Sequence, residues 1–239
     1  GYESGPGAVF QLSGDGPLTK SGKLKYHAAL SYLDTKGYID NTYLREKADP
    51  YKDMSFRGRL IWEPNDRLKT DARIYKSNLE TQALYFNIVG FPSAVPLDVN
   101  VTSLPVRVNN PGENNRDLSQ VAFKLDYRFD AGTLTTITSF DKVQEILTGD
   151  AWDFLPINEA FLPKIGYPDQ NQSQFLDVKT VSQEVRFTSR DDGKVRWIAG
   201  AYWIGTDRFI STGNMVDTGG GVFPVYRNPR GRFPYDFAT

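Results

Sequence analysis

The sequence contains no cysteine and a single histidine among its 239 residues. The absence of cysteine excludes disulfide scaffolds, thiolate metal sites and cysteine nucleophiles. His27 has no second histidine to complete a zinc site of the usual kind. A serine–histidine dyad would also have to use His27, and no motif places a serine beside it. We therefore expect no catalysis, no bound metal and no cofactor.

The chain also lacks a long hydrophobic run and an excess of charge of either sign. No apolar segment approaches the roughly 20 residues that a membrane-spanning helix requires. The net charge of −1 provides no global field that would recruit nucleic acid, so we expect no nucleic-acid partner. Aromatic residues, in contrast, make up 13% of the chain, a fraction that is common in barrels with aromatic girdles.

The clearest pattern lies in residues 54–77, MSFRGRLIWEPNDRLKTDARIYKS. Apolar residues such as Phe56, Leu60 and Trp62 alternate with charged ones on both sides of the break at residues 64–67. Alternation of period two on both sides of a tight turn predicts a β-hairpin. One face of this hairpin is apolar and the other is charged. Such a hairpin fits a β-sandwich or a membrane barrel whose outer face meets lipid.

Similar alternation predicts about eight strands in the chain. Outside the hairpin they cover residues 8–14, 24–32, 118–129, 133–147, 179–189 and 195–210. We assign no helix, and no regular element from residue 211 onward. The connections alternate between tight turns, near residues 15–22, 64–67, 130–132 and 190–194, and long segments, near residues 35–53, 80–117 and 148–178.

The alternation of short and long connections favours one of the two architectures. Structureless loops above about 15 residues are uncommon in compact domains. Three of them at one end of the strands suit an outer-membrane barrel with short periplasmic turns and long extracellular loops. The sequence therefore predicts an all-β, antiparallel transmembrane β-barrel, with a secreted β-sandwich that binds carbohydrate as the alternative.

Several segments resemble a known family. The run GYIDN at residues 37–41, the hairpin RGRLIWEPNDRLKTDARIYKS, the segment GTLTTITSF, and VSQEVRFTS followed by VRWIAGAYW are similar to the barrel domain of TonB-dependent outer-membrane receptors. The resemblance extends from about residue 14 to 210. It implies a ligand-gated uptake receptor of the Gram-negative outer membrane, with a siderophore, cobalamin or glycan as the type of nutrient transported.

The chain differs from the family pattern in extent. Such receptors carry an N-terminal plug domain and a barrel of about 22 strands, whereas we expect about eight strands here. Residues 1–239 are therefore interpreted as an internal part of the barrel, without the plug and the C-terminal strands. The partners that the resemblance implies are outer-membrane lipid, the remaining barrel strands and plug, and the TonB energy-coupling protein.

Two groups of residues are candidates for ligand contact. The first consists of cations on the charged face, expected to line the lumen: Arg57, Arg59, Arg73, Lys124, Arg128 and Arg186, with Asp71, Asp126 and Glu184 between them. The second consists of aromatics in the long loops: Tyr85, Phe86, Trp152 and Phe154. The alternative interpretations are a salt-bridged barrel wall for the first group and packing within folded loops for the second.

The opposite face is expected to contact lipid. The residues assigned to it share strict alternation with charged neighbours: Tyr26, Tyr32, Phe56, Leu60, Trp62, Phe123, Leu125, Tyr127, Val185 and Phe187.

Overall fold

The structure is a computed structural model that describes residues 7–82, 106–151 and 154–219. It is all-β, as the sequence predicts. The elements in chain order are β1 (Gly7–Pro17), β2 (Leu24–Thr35), β3 (Asp40–Asn41), β4 (Glu46–Lys47), β5 (Tyr51–Asn65), β6 (Leu68–Thr81), β7 (Glu113–Phe129), β8 (Gly132–Asp150), α1 (Phe161–Lys164), β9 (Gln170–Ser189) and β10 (Ile198–Val216).

Eight of the strands form one antiparallel sheet in the order β1-β2-β5-β6-β7-β8-β9-β10. Each long strand therefore pairs with the one before and the one after it, because β3 and β4 form only a small separate hairpin. Within the described residues, β1 and β10 do not pair with each other, so the sheet is open. The predicted eight antiparallel strands are confirmed.

The pairing register explains why each face of the sheet has one character. Residues directly opposite each other on neighbouring strands point to the same face. One such row joins Tyr26 to Leu60, Leu60 to Ala72, and Ala72 to Phe123. By this register, all ten residues that the sequence analysis assigns to the apolar face lie on that face. The six candidate cations lie on the other one.

No second layer covers the apolar face within the described residues. Phe56, Leu60, Phe123 and Trp203 remain 40%, 46%, 43% and 58% exposed. The hairpin β3–β4 makes no contact with the strands of the large sheet. The buried apolar cluster that does occur lies among the long connections, where Ala48, Val106 and Val108 pack together. A folded domain normally covers a face of this kind, so its exposure indicates a surface that contacts something outside the described residues.

The end of the sheet with the tight turns is defined by local turn chemistry. β5 and β6 are joined by only Asp66 and Arg67, and Asn65 Oδ1 accepts hydrogen bonds from the amides of Arg67 (2.9 Å) and Leu68 (3.0 Å). Gly132 begins β8 with φ +154°, where a Cβ would lie 2.2 Å from the carbonyl oxygen of Thr188. Only glycine fits such an approach.

The strands extend further toward the long connections than the alternation predicts. β7 begins at Glu113, β8 continues to Asp150 and β9 already begins at Gln170, which reduces the predicted connection 148–178 to residues 151–169. The assignment of no regular element from residue 211 onward is wrong, because β10 continues to Val216, opposite Gln170. Backbone hydrogen bonds hold these polar strand ends in the sheet. Because this pairing does not require apolar side chains, the ends show no apolar alternation in the sequence.

The expectation of no helix is also wrong, by one short turn. α1 contains four residues, Phe161–Lys164, inside the connection between β8 and β9. So short a segment carries no amphipathic period by which it could be recognised. Among the described residues there is no helix that could span a bilayer.

Candidate functional site: the charged face and the loop end

The charged face derives from alternate residues of β5, β6, β7, β8 and β9. His27 lies directly opposite Arg59, and Arg59 lies opposite Arg73 on the next strand. Like charges placed directly opposite each other destabilise a sheet unless a counter-charge lies between them. Asp71 provides that counter-charge.

Asp71 connects two arginines through four hydrogen bonds. Its Oδ1 accepts from Nε of Arg59 (3.0 Å) and Nε of Arg73 (3.1 Å), and its Oδ2 accepts from the Nη2 atoms of the same residues at 2.6 and 2.7 Å. The Asp71 side chain is 6% exposed, whereas the two arginines stay about half in solvent. Bidentate contacts of this kind fix both guanidinium planes. The two arginines are therefore held in place, and one of their two positive charges is compensated.

Two further candidate cations are paired in the same way. Lys124 Nζ lies 2.9 Å from Asp126 Oδ2, and Asp126 also accepts a hydrogen bond of 2.6 Å from Thr135. Arg186 Nη1 lies 3.2 Å from Glu184 Oε1. Four of the six candidate cations thus have a carboxylate partner. This pairing supports the interpretation as a salt-bridged wall.

Arg57 and Arg128 form no ion pair within the described residues. The Arg57 guanidinium lies 5.1 Å from the ring centre of Tyr75, an arrangement that leaves its charge uncompensated. A groove of about 420 Å³ lies beside it, bordered by His27, Arg57, Arg59, Arg73, Tyr75 and Gln120. Contact between these cations and a ligand stays a prediction.

The candidate loop aromatics can be examined only in part. Tyr85, Phe86 and Trp152 lie outside the described residues. Phe154 packs against the cluster of Ala48, Val106 and Val108. It does so with φ +54°, a backbone conformation that a bulky side chain rarely adopts. Phe154 therefore serves packing within the folded connections in this structure.

The structure reveals a second polar site, which the sequence analysis missed. At the end of the sheet with the long connections, six acids and amides are buried together: Asn109, Asn110, Asp150, Asp169, Asn171 and Asp217. Asn171 lies opposite both Asp150 and Met215. The signal was present as acids and amides at the same end of β8, β9 and β10. It could be read only once the register was known.

Most polar groups in this loop-end cluster have partners. Asn110 donates to Asn171 Oδ1 at 2.9 Å, and the Gly112 amide donates to Asn110 Oδ1 at 2.9 Å. Asp217 accepts from Asn109 Nδ2 and from the Gly219 amide, both at 2.7 Å. These bonds join the segment before β7, the start of β9 and the segment after β10 into one small interior.

Asp150 differs from its neighbours. It is 4% exposed, and neither of its carboxylate oxygens has a hydrogen-bond partner of ordinary geometry. Burial, followed by the negative charges of Asp217 and Asp169, raises the pKa of Asp150 to about 8, although the nearby backbone amides of Asn110 and Asn109 act in the opposite direction. An ionised Asp150 would therefore be a poorly compensated buried charge.

A comparison with protein-family models finds no family that matches this sequence. A comparison with curated proteins finds no significant match either.

Proposed function

We propose that the chain is part of the barrel wall of an outer-membrane uptake receptor of the TonB-dependent kind. In this proposal the apolar face meets lipid, the charged face lines the lumen and the long connections face the outside of the cell. The observation that carries the proposal is the exposed apolar face of the sheet. An aqueous protein would pay heavily to leave it uncovered.

The dimensions of the apolar face fit a lipid bilayer. On β5 it extends from Met54 to Trp62, and eight residue steps cover about 26 Å along the strand. Transmembrane barrels carry an apolar band about 25 Å tall, with strands tilted by about 40°. The tilt reduces the height here to about 20 Å. Tyr127 and Phe129 lie beyond Trp62 on the side of the tight turns and lengthen the band.

The apolar face ends abruptly on the side of the long connections. The next residues on this face are Lys52 on β5, Lys76 on β6, Lys142 on β8 and Lys179 on β9. Lys142 and Lys179 lie directly opposite each other. Such a row of charges marks the level at which a lipid-facing surface meets the headgroup region.

The lengths of strands and connections support the same arrangement. The eight strands contain 11 to 20 residues, so each is long enough for the roughly 9–11 residues needed to cross a bilayer. Because neighbouring strands are antiparallel, all the tight turns lie at one end of the sheet and all the long connections at the other. Short periplasmic turns and long outer loops are the usual arrangement in such barrels.

The open edges of the sheet explain why we propose only part of a barrel. β1 and β10 each have one partner strand in the described residues. In lipid, an unpaired strand edge leaves backbone groups unsatisfied at several kcal/mol each. Further strands, from the same polypeptide or a partner chain, would therefore complete the wall. The ligand would be polar or anionic, since two of the six candidate cations, Arg57 and Arg128, form no ion pair within the described residues.

Site-directed spin labelling tests the proposal. This sequence has no native cysteine, so single cysteines can be introduced at will. Leu60 and Phe123 would be labelled on the apolar face. Ser139 and Ser182 would serve as controls, because they lie directly opposite each other on β8 and β9 and belong to the charged face. The labels would be read in the complete protein reconstituted in lipid vesicles.

We expect labels at Leu60 and Phe123 to collide with oxygen dissolved in the acyl chains, and those at Ser139 and Ser182 to collide with a water-soluble nickel reagent. Water contact at all four positions would contradict the proposal. Protection of Leu60 and Phe123 from both reagents would also contradict it, and would favour a sandwich with a covering sheet.

A further inference from the structure

Four lysines lie on the apolar face where its exposed apolar side chains end: Lys52, Lys76, Lys142 and Lys179. Two of them approach an acid. Lys52 Nζ lies 3.7 Å from Glu80 Oε2, and Lys76 Nζ lies 4.0 Å from Asp117 Oδ1 and donates to Ser119 Oγ at 3.1 Å. The other two lysines form no ion pair with any described residue.

These two lysines form a pair of like charges across two strands. Lys142 on β8 lies directly opposite Lys179 on β9, so their Cβ atoms are about 4.5–5.5 Å apart. Like charges in this arrangement destabilise a sheet. On the same face, Asp207 lies opposite Lys179 on β10, and Asp177 lies opposite Gln144. Asp207 pairs with neither lysine, and Asp177 accepts instead from Gln144 at 3.1 Å. The pair therefore presents two uncompensated positive charges.

The surroundings of the pair differ on its two sides. Toward the tight turns, the next residues on this face are Phe140 and Val181, which are 43% and 40% exposed. Toward the long connections, Phe175 is only 3% exposed. The two lysines thus lie at the border between an uncovered apolar surface and a covered part of the same face. An amphiphile bound here would lay its apolar chains along Phe140 and Val181 and bring its polar head to the lysines.

We propose that Lys142 and Lys179 together bind the phosphate monoester of a lipid headgroup. This site rests on the proposed function, which puts the apolar face in lipid. A phosphate monoester carries a charge of about −1.5 to −2 at pH 7 and three strong acceptor oxygens. One such group compensates both lysines at once. A phosphodiester carries a single negative charge and would leave part of the repulsion in place.

The remaining lysines of the row supply a matched control. Lys52 and Lys76 lie on the same face and near the same level, but each already approaches a carboxylate. Replacing Lys142 and Lys179 together by glutamine removes the same charge as replacing Lys52 and Lys76 together. The two double variants therefore separate a specific site from a general attraction between the row and anionic lipid.

The experiment measures lipid binding by native mass spectrometry of the complete protein in a non-ionic detergent. The wild type and the two double variants are titrated with dioleoyl phosphatidic acid, which carries a phosphate monoester. Parallel titrations use dioleoyl phosphatidylglycerol, a diester with the same chains, and inorganic phosphate. Lys142→Gln alone serves as a second test variant if the double variant does not fold.

We expect the wild type to bind phosphatidic acid more tightly than phosphatidylglycerol, and to bind inorganic phosphate more weakly than either lipid. Loss of Lys142 and Lys179 should weaken the binding of phosphatidic acid by about 10–30-fold, as the combined effect of two lysines at a lipid surface. Loss of Lys52 and Lys76 should weaken it by less than about threefold, because their charges are already compensated in part.

An equal loss in the two double variants would overturn the proposal, because the row would then act only as a diffuse positive surface. Equal binding of phosphatidic acid and phosphatidylglycerol would also overturn it, as would inorganic phosphate binding as tightly as the lipids. Spin labels at Leu60 and Phe123 report independently on the proposed function. If they contact acyl chains while the lysine pair has no effect, only the headgroup site fails. If they contact water, the membrane assignment itself fails.

Discussion

Next to the tight turns, the strands carry exposed apolar side chains on one face and ion pairs at the surface of the other. Next to the long connections, the same strands bury polar side chains. Leu60 and Trp62 are each 46% exposed, whereas Asn110 is fully buried and Asn171 is 1% exposed. One sheet therefore contains an end without an interior of its own and an end with a polar interior.

We call the part of the sheet next to the tight turns the turn half, and the part next to the long connections the loop half. Their difference indicates what the stability of each half depends on. The turn half gains stability from burial only if something outside the described residues covers its apolar face. The loop half already encloses its polar groups, so its stability depends on satisfying each of them. A change in what covers the apolar face should therefore alter the stability of the turn half. A change in the protonation of the buried polar groups should alter the stability of the loop half.

The largest expected effect concerns the pH dependence of the loop half. The pKa of Asp150 is raised from 3.8 to about 8 in the folded protein. Between these values the unfolded chain releases the proton and the folded chain retains it. The contribution of Asp150 is therefore most favourable to the folded state below about pH 4, and it decreases as the pH rises to about 8. A shift of this size corresponds to an upper limit on the order of 5 kcal/mol.

The measurement is urea unfolding of chelator-treated protein between pH 4 and 9. Asp150→Asn should become more stable relative to the wild type as the pH rises through this range, and the difference should level off above pH 8. Asp66→Asn should follow the wild type. A constant difference between Asp150→Asn and the wild type would show that Asp150 does not titrate in this range.

The next effect concerns the apolar face of the turn half. Leu60→Arg should reduce the free energy of unfolding in lipid vesicles by about 2–4 kcal/mol if Leu60 lies near the bilayer midplane. Ile61→Arg is the matched control, because Ile61 lies on the charged face opposite Asp71. We expect its effect to stay below about 1 kcal/mol. Equal effects of the two substitutions would remove the distinction between the faces.

These two regions also differ in how far the sequence predicts them. Alternation identifies the strands of the turn half and both of their faces, since a period of two reflects which side chains share a face. The sequence predicts that Arg59, Arg73 and Asp71 share the charged face. It does not predict that Asp71 pairs with both arginines, because the choice of partner depends on the register. The loop half is largely unpredicted. Its strands carry Gln170–Gln174 without apolar alternation, and backbone pairing holds them in the sheet.

A smaller effect is expected at the charged face. Asp71→Asn removes the carboxylate that separates Arg59 from Arg73, and leaves two like charges opposite each other. Because both arginines are about half exposed, water compensates in part, and we expect a loss of about 2 kcal/mol in the free energy of unfolding. Glu184→Gln affects only the pair with Arg186 and should cost less than about 1 kcal/mol.

The test is urea unfolding at low and at high salt. Salt should reduce the effect of Asp71→Asn, and a loss that is independent of salt would indicate a packing role instead.

The smallest effect compares two asparagines that perform the same task in the two halves. Asn65 Oδ1 accepts from the amides of Arg67 and Leu68 in an exposed turn, and Asn110 Oδ1 accepts from the amide of Gly112 in a buried one. In Asn65→Ala, water replaces the lost acceptor, so the cost should be below about 0.5 kcal/mol. In Asn110→Ala, the Gly112 amide and Asn171 Oδ1 lose a partner away from solvent, which should cost about 1–2 kcal/mol.

Amide hydrogen exchange at Arg67, Leu68 and Gly112 measures both changes locally. Equal acceleration of exchange at the two sites would mean that water reaches the loop half as freely as the turn. In that case the loop-end cluster would not be an interior, and the carboxylate of Asp150 could be hydrated rather than neutralised.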